Sequence, residues 1–339
     1  MSVNPLQRNH VMSLMNAIVI HEPGPVSHLC HEQRPVPAVK PGWVRIRVKA
    51  FGVNESEVTT RKGLSSPDVT LPRIPGIECV GEVDEVSGDS SLVTGQKVAT
   101  MMGGMGRSFD GSYADYVVVP AGQVIPFSTD LPWDVVGALP EMLQTAYGSL
   151  TTGLDLKAGQ VLLIRGGTST VGLAAAAIAR NMGATVISTT RQQERFGLLR
   201  RNGVHHPVLD DGRITDAVRQ IAPDGVDAAL ELVGCDVLPD TLKTVRVHGT
   251  ACFTGALGDR WTIPDFDPFA VLPFGVRLTS YGGKATDLPP DVFDHLLRAI
   301  AEGKLNVPVA DVYHGLEGVR DAQTALESGR RPGKHVVVL

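Results

Sequence analysis

The chain has 339 residues, enough at roughly 100–200 residues per domain for about two domains with buried cores. Its 43% hydrophobic and 20% charged residues exclude a mostly disordered chain, and 37 Gly and 23 Pro without a repeating period exclude collagen-like order. The formal net charge of −5, with no basic block, argues against a nucleic-acid partner.

Cys30, Cys79, Cys235 and Cys252 are scattered, without a CxxC, so reduced thiols rather than a disulfide framework are expected. The first residues lack the basic-then-apolar pattern of a secretory leader. The longest smooth apolar stretch, Leu173 to Ala179, is too short to span a bilayer. The expectation is a soluble, cytoplasmic protein with no membrane contact.

Residues 1–14 are polar and aperiodic and predict a flexible extension. Order is expected from the strand-like run Met15 to Ile20, ended by Pro23-Gly24-Pro25. Short strands with Gly/Pro punctuation then run to about residue 128. Among them are Trp43 to Val48, which alternates with period two, Val80 to Val86, and Tyr116 to Val119. This predicts an all-β, barrel-like unit over residues 15–128.

The pattern changes at residue 129. Helical patterns start near Pro132 and Met142, and strands then alternate with helices. Val161 to Ile164 is wholly apolar, as a strand buried on both faces must be. Val171, Ala174, Ala175, Ile178 and Met182 follow at helical spacing. Thr185 to Ser188, Val208, Ala228 to Leu230, Ala251 to Phe253 and Arg277 to Tyr281 continue the series. Residues 129–283 thus predict a doubly wound parallel sheet of the Rossmann kind, in an α/β protein. Residues 284–339 carry two helical patterns, one on Val292, Leu296, Leu297 and Ile300 and one from Gly318 to Ser328. A closing strand, Lys334 to Leu339, needs a partner, and the β-rich first unit is expected to supply it.

The segment Gly166-Gly167-Thr168-Ser169-Thr170-Val171-Gly172 joins a buried strand to an Ala-rich helix. Small residues let the backbone approach a diphosphate, and the helix N-terminus offers N–H groups and partial positive charge. The usual G-x-G-x-x-G spelling is absent, because Ser169 replaces its middle glycine. A hydrolase elbow, G-x-S-x-G, is excluded by Val171. The second strand ends Ser188-Thr189-Thr190-Arg191-Gln192 without the carboxylate that would favour NAD. Arg191, the hydroxyls of Ser188 and Thr189, and Arg195 one turn on suit a 2′-phosphate, so NADPH is the expected cofactor.

The chain resembles the medium-chain dehydrogenase/reductase superfamily, and within it the zinc-independent quinone oxidoreductases. The marks are Gly52-Val53-Asn54, Pro75-Gly76-Ile77-Glu78, Gly111 to Tyr116, Ala138-Leu139-Pro140, Thr145-Ala146-Tyr147, the turn at 166–172 and Gly333 to Val337. The resemblance implies a GroES-like β-barrel catalytic domain from residues 15–128 and 284–339, with the Rossmann domain inserted. It implies hydride transfer to a quinone or an α,β-unsaturated carbonyl in the cleft between them. It also implies a homodimer through the Rossmann edge strand near Arg277–Tyr281.

Zinc-dependent relatives place ligands where this chain has Asn54, Ile77 and a residue near Glu141, and the stretch from Thr100 to Tyr113 holds no cysteine for a structural zinc. No zinc is therefore expected. Asn54 is expected to hydrogen-bond near the nicotinamide ribose or substrate oxygen. Thr145, Thr254, Gly255 and Lys334 would border the cofactor. Many relatives carry a tyrosine in the loop after Asn54, but this chain has Val58-Thr59-Thr60-Arg61 there. Tyr113, Glu141 and water are left as proton donors. Two rival functions stand beside this reading. One is an enoyl-thioester reductase using a basic entrance built from Arg61, Lys62, Arg73, Arg107 and Arg260. The other is a non-catalytic NADPH-binding protein, structural or RNA-binding.

Overall fold

The computed structural model describes residues 13–88 and 90–339. Most of the expected extension lies outside the described residues, and its last residue, Leu14, opens a strand instead. That strand, Leu14–Val19, pairs antiparallel with Cys30–Pro35.

The β-rich unit centres on the strand Trp43–Val53. One edge of it pairs antiparallel with Glu78–Val86. The other edge is shared by Tyr116–Pro120, along residues 43–47, and Lys334–Val338, along residues 50–53. The final strand therefore does return to the first unit, with Val309–His314 parallel on its far side. Lys97–Met101 and Val124–Pro126 extend the sheet beyond Glu78–Val86. Alternation sets the core. Val44, Ile46 and Val48 are buried inside, while Arg45 and Arg47 turn out to Asp84.

The second sheet has six parallel strands, in the order His206–Leu209, Thr185–Thr190, Val161–Arg165, Val226–Glu231, Val245–Phe253 and Arg277–Ser280. This is the doubly wound order, whose switch point lies beside Val161–Arg165. Both of its faces are covered. Leu162 and Ile164 enter one core with Leu173, Ala174 and Ile178 of the helix Thr170–Asn181. Leu163 enters another with Val218 and Leu242. Each fully buried Leu or Ile contributes about 1.5–3 kcal/mol. No described helix is long and apolar enough to cross a membrane.

The helix Pro140–Gly148 begins with proline at its first turn and packs between the two sheets, bringing Glu141 and Thr145 to their junction.

Candidate active site

The C-terminal end of the strand Val161–Arg165 leads into the Gly-rich turn. Gly166 takes a φ of +89°, which a side chain would resist. Its N–H donates to Thr189 Oγ1 at 3.2 Å, and the Gly167 N–H donates to the Thr189 carbonyl at 3.0 Å. Ser169 caps the helix Thr170–Asn181: Oγ accepts from the Gly172 N–H at 3.0 Å and donates to the Gly166 carbonyl at 2.8 Å. A β-carbon on Gly172 would lie 2.6 Å from that same carbonyl, so glycine sets the close approach of helix and strand. Thr168, Thr170 and Val171 are half-buried at the helix start.

Ser188 Oγ is buried against Gly167 with no hydrogen-bond partner. An orphaned hydroxyl under a side-chain-free cradle fits a diphosphate-bearing ligand. Thr189 is spent on the scaffold, since its hydroxyl also donates to Asp210 Oδ2 at 3.2 Å. Arg191 is exposed at the strand end. Arg195 Nη2 reaches across to the other unit, donating to the carbonyls of Gly329 and Arg330 at 3.2 and 3.3 Å.

Below the turn lies a fully buried arginine that the sequence pattern did not reveal. Arg165 donates to both oxygens of Asp210, each at 2.9 Å, and to Asp240 Oδ2 at 3.0 Å. Burial acts to raise the Asp210 pKa, but the Arg165 hydrogen bonds and charge hold it below the usual aspartate value.

In the β-rich unit, the strand Trp43–Val53 ends at Asn54, which caps the helix Glu55–Arg61. That segment was expected to be a loop. Glu57 Oε2 accepts from the Asn54 N–H at 2.8 Å, and Oε1 from the Ile77 N–H at 2.9 Å. Asn54 Nδ2 donates to Glu78 Oε1 at 3.0 Å. Lys334 Nζ donates to Asn54 Oδ1, to Glu78 Oε1 at 2.7 Å and to Glu141 Oε2 at 3.1 Å. Glu78 Oε2 accepts from the Glu141 N–H at 2.8 Å, and Thr145 Oγ1 donates to Glu141 Oε1 at 2.9 Å. Gly52 makes room for this: a β-carbon there would strike Lys334 Cε and Glu78 Oε1.

Burial pushes Glu57 up to about 7 and raises Glu78 as well. For Lys334, burial opposes the charge, but Glu78 and Glu141 outweigh it and hold the ammonium above the ordinary lysine range.

The structure brings Asn54, Glu141, Thr145 and Lys334 together, and sets Thr254 beside Ser149 with hydroxyl oxygens 3.0 Å apart. Gly255 follows at the carboxyl ends of the parallel strands, against Leu232. Two expectations need correction. Lys334 does not border the cleft; its side chain is fully buried. Tyr113 is also fully buried, stacked on Phe51 with ring centroids 4.6 Å apart, and burial raises its phenol further. A group without access cannot pass a proton to a substrate.

Sequence reading missed Glu57, Glu78, Gln144 and Tyr281. Gln144 Nε2 donates to Tyr281 Oη at 2.6 Å, and Tyr281 Oη donates to Asp287 at 2.9 Å. Gly148 leaves the space that the Tyr281 hydroxyl fills. The mark Pro75-Gly76-Ile77-Glu78 was the available signal for Glu78. A basic entrance does not form. Arg61 and Lys62 both pair with Glu327, Arg73 with Asp110, and Arg260 with Asp236, while Arg107 bonds Ser56.

Residues 40–129 match the alcohol dehydrogenase GroES-like domain family, and residues 170–301 the zinc-binding dehydrogenase family. A 2-haloacrylate reductase from Burkholderia sp is 30% identical over 249 residues, 71% of this chain and 73% of that protein. A probable quinone oxidoreductase from Leishmania amazonensis is 28% identical over 313 residues, 88% of this chain and 89% of its own length.

The chain belongs to the medium-chain dehydrogenase/reductase superfamily, in its quinone oxidoreductase branch. It is an oxidoreductase, and the family implies a nicotinamide cofactor. Among solved structures, a mycobacterial protein complexed with NADPH superimposes with a TM-score of 0.83 at 25% identity, covering 96% of this chain and all of that one. The nicotinamide cofactor fits the cradle at Gly166–Gly172. Zinc, which the second family's name carries, does not fit the Asn54–Glu141–Lys334 pocket of this oxidoreductase. Ile77 has no donor, Asn54 and Glu141 offer only oxygens, and Lys334 already holds both. Among the described residues, no group of three or more His, Cys, Asp or Glu side chains is arranged to hold a metal ion.

Proposed function

We propose that this oxidoreductase is zinc-independent, uses NADPH, and reduces a quinone or an α,β-unsaturated carbonyl. The observation that carries this reading is the buried Lys334 ammonium, which engages Asn54, Glu78 and Glu141 and leaves no metal-ligand set among them. Without a Lewis acid, plain ketones and alcohols are poor substrates, whereas quinones and enones are electrophilic by themselves. The names of the Burkholderia and Leishmania relatives point the same way.

The turn at Gly166–Gly172 would hold the diphosphate, with Ser188 beneath it. Arg191 and Arg195 would meet a 2′-phosphate, and the stretch Ser188 to Gln192 holds no carboxylate to favour NAD. Thr145, Thr254 and Gly255 would line the nicotinamide half, with Asn54 on the opposite wall. When bound, the reduced nicotinamide supplies the hydride; the residues supply orientation and a dry wall. Glu141 accepts from both Lys334 and Thr145, so the product's proton is drawn from solvent.

Residues 15–128 with 284–339, and residues 129–283, are taken as the two domains. Two copies would pair through the edge strand Arg277–Ser280, beside the exposed Phe269 and Phe274. Four unpaired thiols suit a reducing compartment such as the cytoplasm.

The test is a kinetic screen of quinones, enones and enoyl thioesters with NADPH and NADH, following loss of the reduced-cofactor absorbance. Turnover of a quinone or enone with NADPH preferred is the expected result. No turnover across both classes would overturn the reading.

A further inference from the structure

Lys334 Nζ has three N–H donors and three oxygens around it: Asn54 Oδ1, Glu78 Oε1 and Glu141 Oε2. Its side chain is fully buried, so it touches neither substrate nor cofactor. Its neighbours have been cleared for it. Gly52 has no side chain where the lysine stem and the Glu78 carboxylate pass. Glu57 lies behind, turned toward the N–H groups of Asn54 and Ile77. Three carboxylates thus share one pocket with a single cation.

We propose that the Lys334 ammonium is the resident cation of this pocket, a positioning residue that holds Asn54 and Glu141 at the cleft wall and shuts divalent metals out. The argument is one of charge and valence. An ammonium directs three hydrogen bonds at three oxygens, offers a metal no lone pair of its own, and sets a positive charge where a second cation would have to sit. Without it, buried carboxylates face one another uncompensated, a state that must be relieved by protonation or by capture of another cation. The donors are oxygens, which suit Mn2+ better than zinc.

The experiment compares the full-length wild type with Lys334→Met, which keeps an unbranched stem but no charge, and Lys334→Arg, which keeps the charge. Each is stripped with chelator and titrated with Mn2+ near neutral pH. Binding is followed by loss of the free-ion paramagnetic resonance signal, and by the thermal midpoint. Wild type and K334R are expected to leave Mn2+ free and their midpoints unmoved. K334M is expected to bind about one Mn2+ per chain and to gain thermal stability from it, as ligand linkage requires, and adding Glu78→Gln should abolish both. Mn2+ bound by wild type and lost in E78Q would overturn the proposal, and so would K334M that binds none. Should K334M fold poorly, recovery on refolding with Mn2+ supports the proposal; no recovery, while K334R folds, overturns it. The readout needs no turnover, so its failure is distinct from failure of the substrate assignment.

Discussion

Ser188 Oγ fills the volume that a β-carbon on Gly167 would take. Gly167→Ala should therefore overpack the turn and destabilise the protein by about 1–3 kcal/mol. Cofactor affinity should fall with it. Ser188→Gly, introduced into the same chain, should return most of the lost stability, because the two positions share one space. Denaturant midpoints of the two single variants and the double variant check this; additive losses would show that the clash lies elsewhere.

Arg191 should separate the two coenzymes. A charged hydrogen bond to a 2′-phosphate is worth about 1.5–3 kcal/mol. Arg191→Ala should thus weaken NADPH roughly tenfold or more and leave NADH nearly unchanged. Arg195→Ala should do the same and also release the carbonyls of Gly329 and Arg330. Titration of each variant with both coenzymes decides it, and equal losses would remove Arg191 from the site.

Arg165 is a structural cation. Replacing it by Met would strand the carboxylates of Asp210 and Asp240, and removing one partner of a buried pair costs roughly 3–5 kcal/mol. Asp210 is held below its ordinary value in the folded state, so its contribution is complete above the unfolded aspartate pKa and fades as pH falls through the lower folded value. Wild type should lose stability in that acid window more steeply than Asp210→Asn. Equilibrium unfolding at a series of acid pH values measures both effects.

Glu57 has the opposite sign. Burial raises it to about 7 in the folded protein, so folding takes up a proton. Its stabilising share is intact below the ordinary glutamate value and disappears as pH rises through about 7. Wild-type stability should decline between about pH 5 and 8, and Glu57→Gln should flatten that slope. An unchanged slope in the variant would mean that Glu57 is ionised throughout.

The edge strand offers a direct test of self-association. Leu278 is 36% exposed on Arg277–Ser280, and Phe274 just before it is 90% exposed. Leu278→Asp should halve the mass seen by light scattering without lowering the thermal midpoint of the isolated fold. A wild-type monomer at the same concentration would end the dimer proposal.

Much of the architecture was legible because local pattern and burial agree. The apolar run Val161 to Ile164 reads as a strand covered on both faces, and Trp43 to Val48 reads as one covered on a single face. The Gly-rich turn is equally plain, since its residues are chosen for backbone geometry. The lysine pocket was harder. Lys334 opens the closing strand and reads as a cofactor contact or, nearly as well, a surface lysine, yet long-range partners bury it; nothing near it in sequence announces Glu78 or Glu141. Arg165 misleads in the same way, as a charge closing an apolar strand whose partners lie 45 and 75 residues on. Tyr113 was legible as a mark but not as a core residue, because stacking on Phe51 depends on the curl of the sheet.

The bond between Lys334 and Asn54 spans 280 positions. On the ribosome, the strand Lys334–Val338 emerges only after the whole parallel sheet. Until then Trp43–Val53 has a raw edge along residues 50–53, and the buried glutamates lack their counter-charge. The parallel sheet, built from strands consecutive in the chain, has all its strands before Lys334 is made, whereas the edge along residues 50–53 and the lysine pocket cannot close without the last residues.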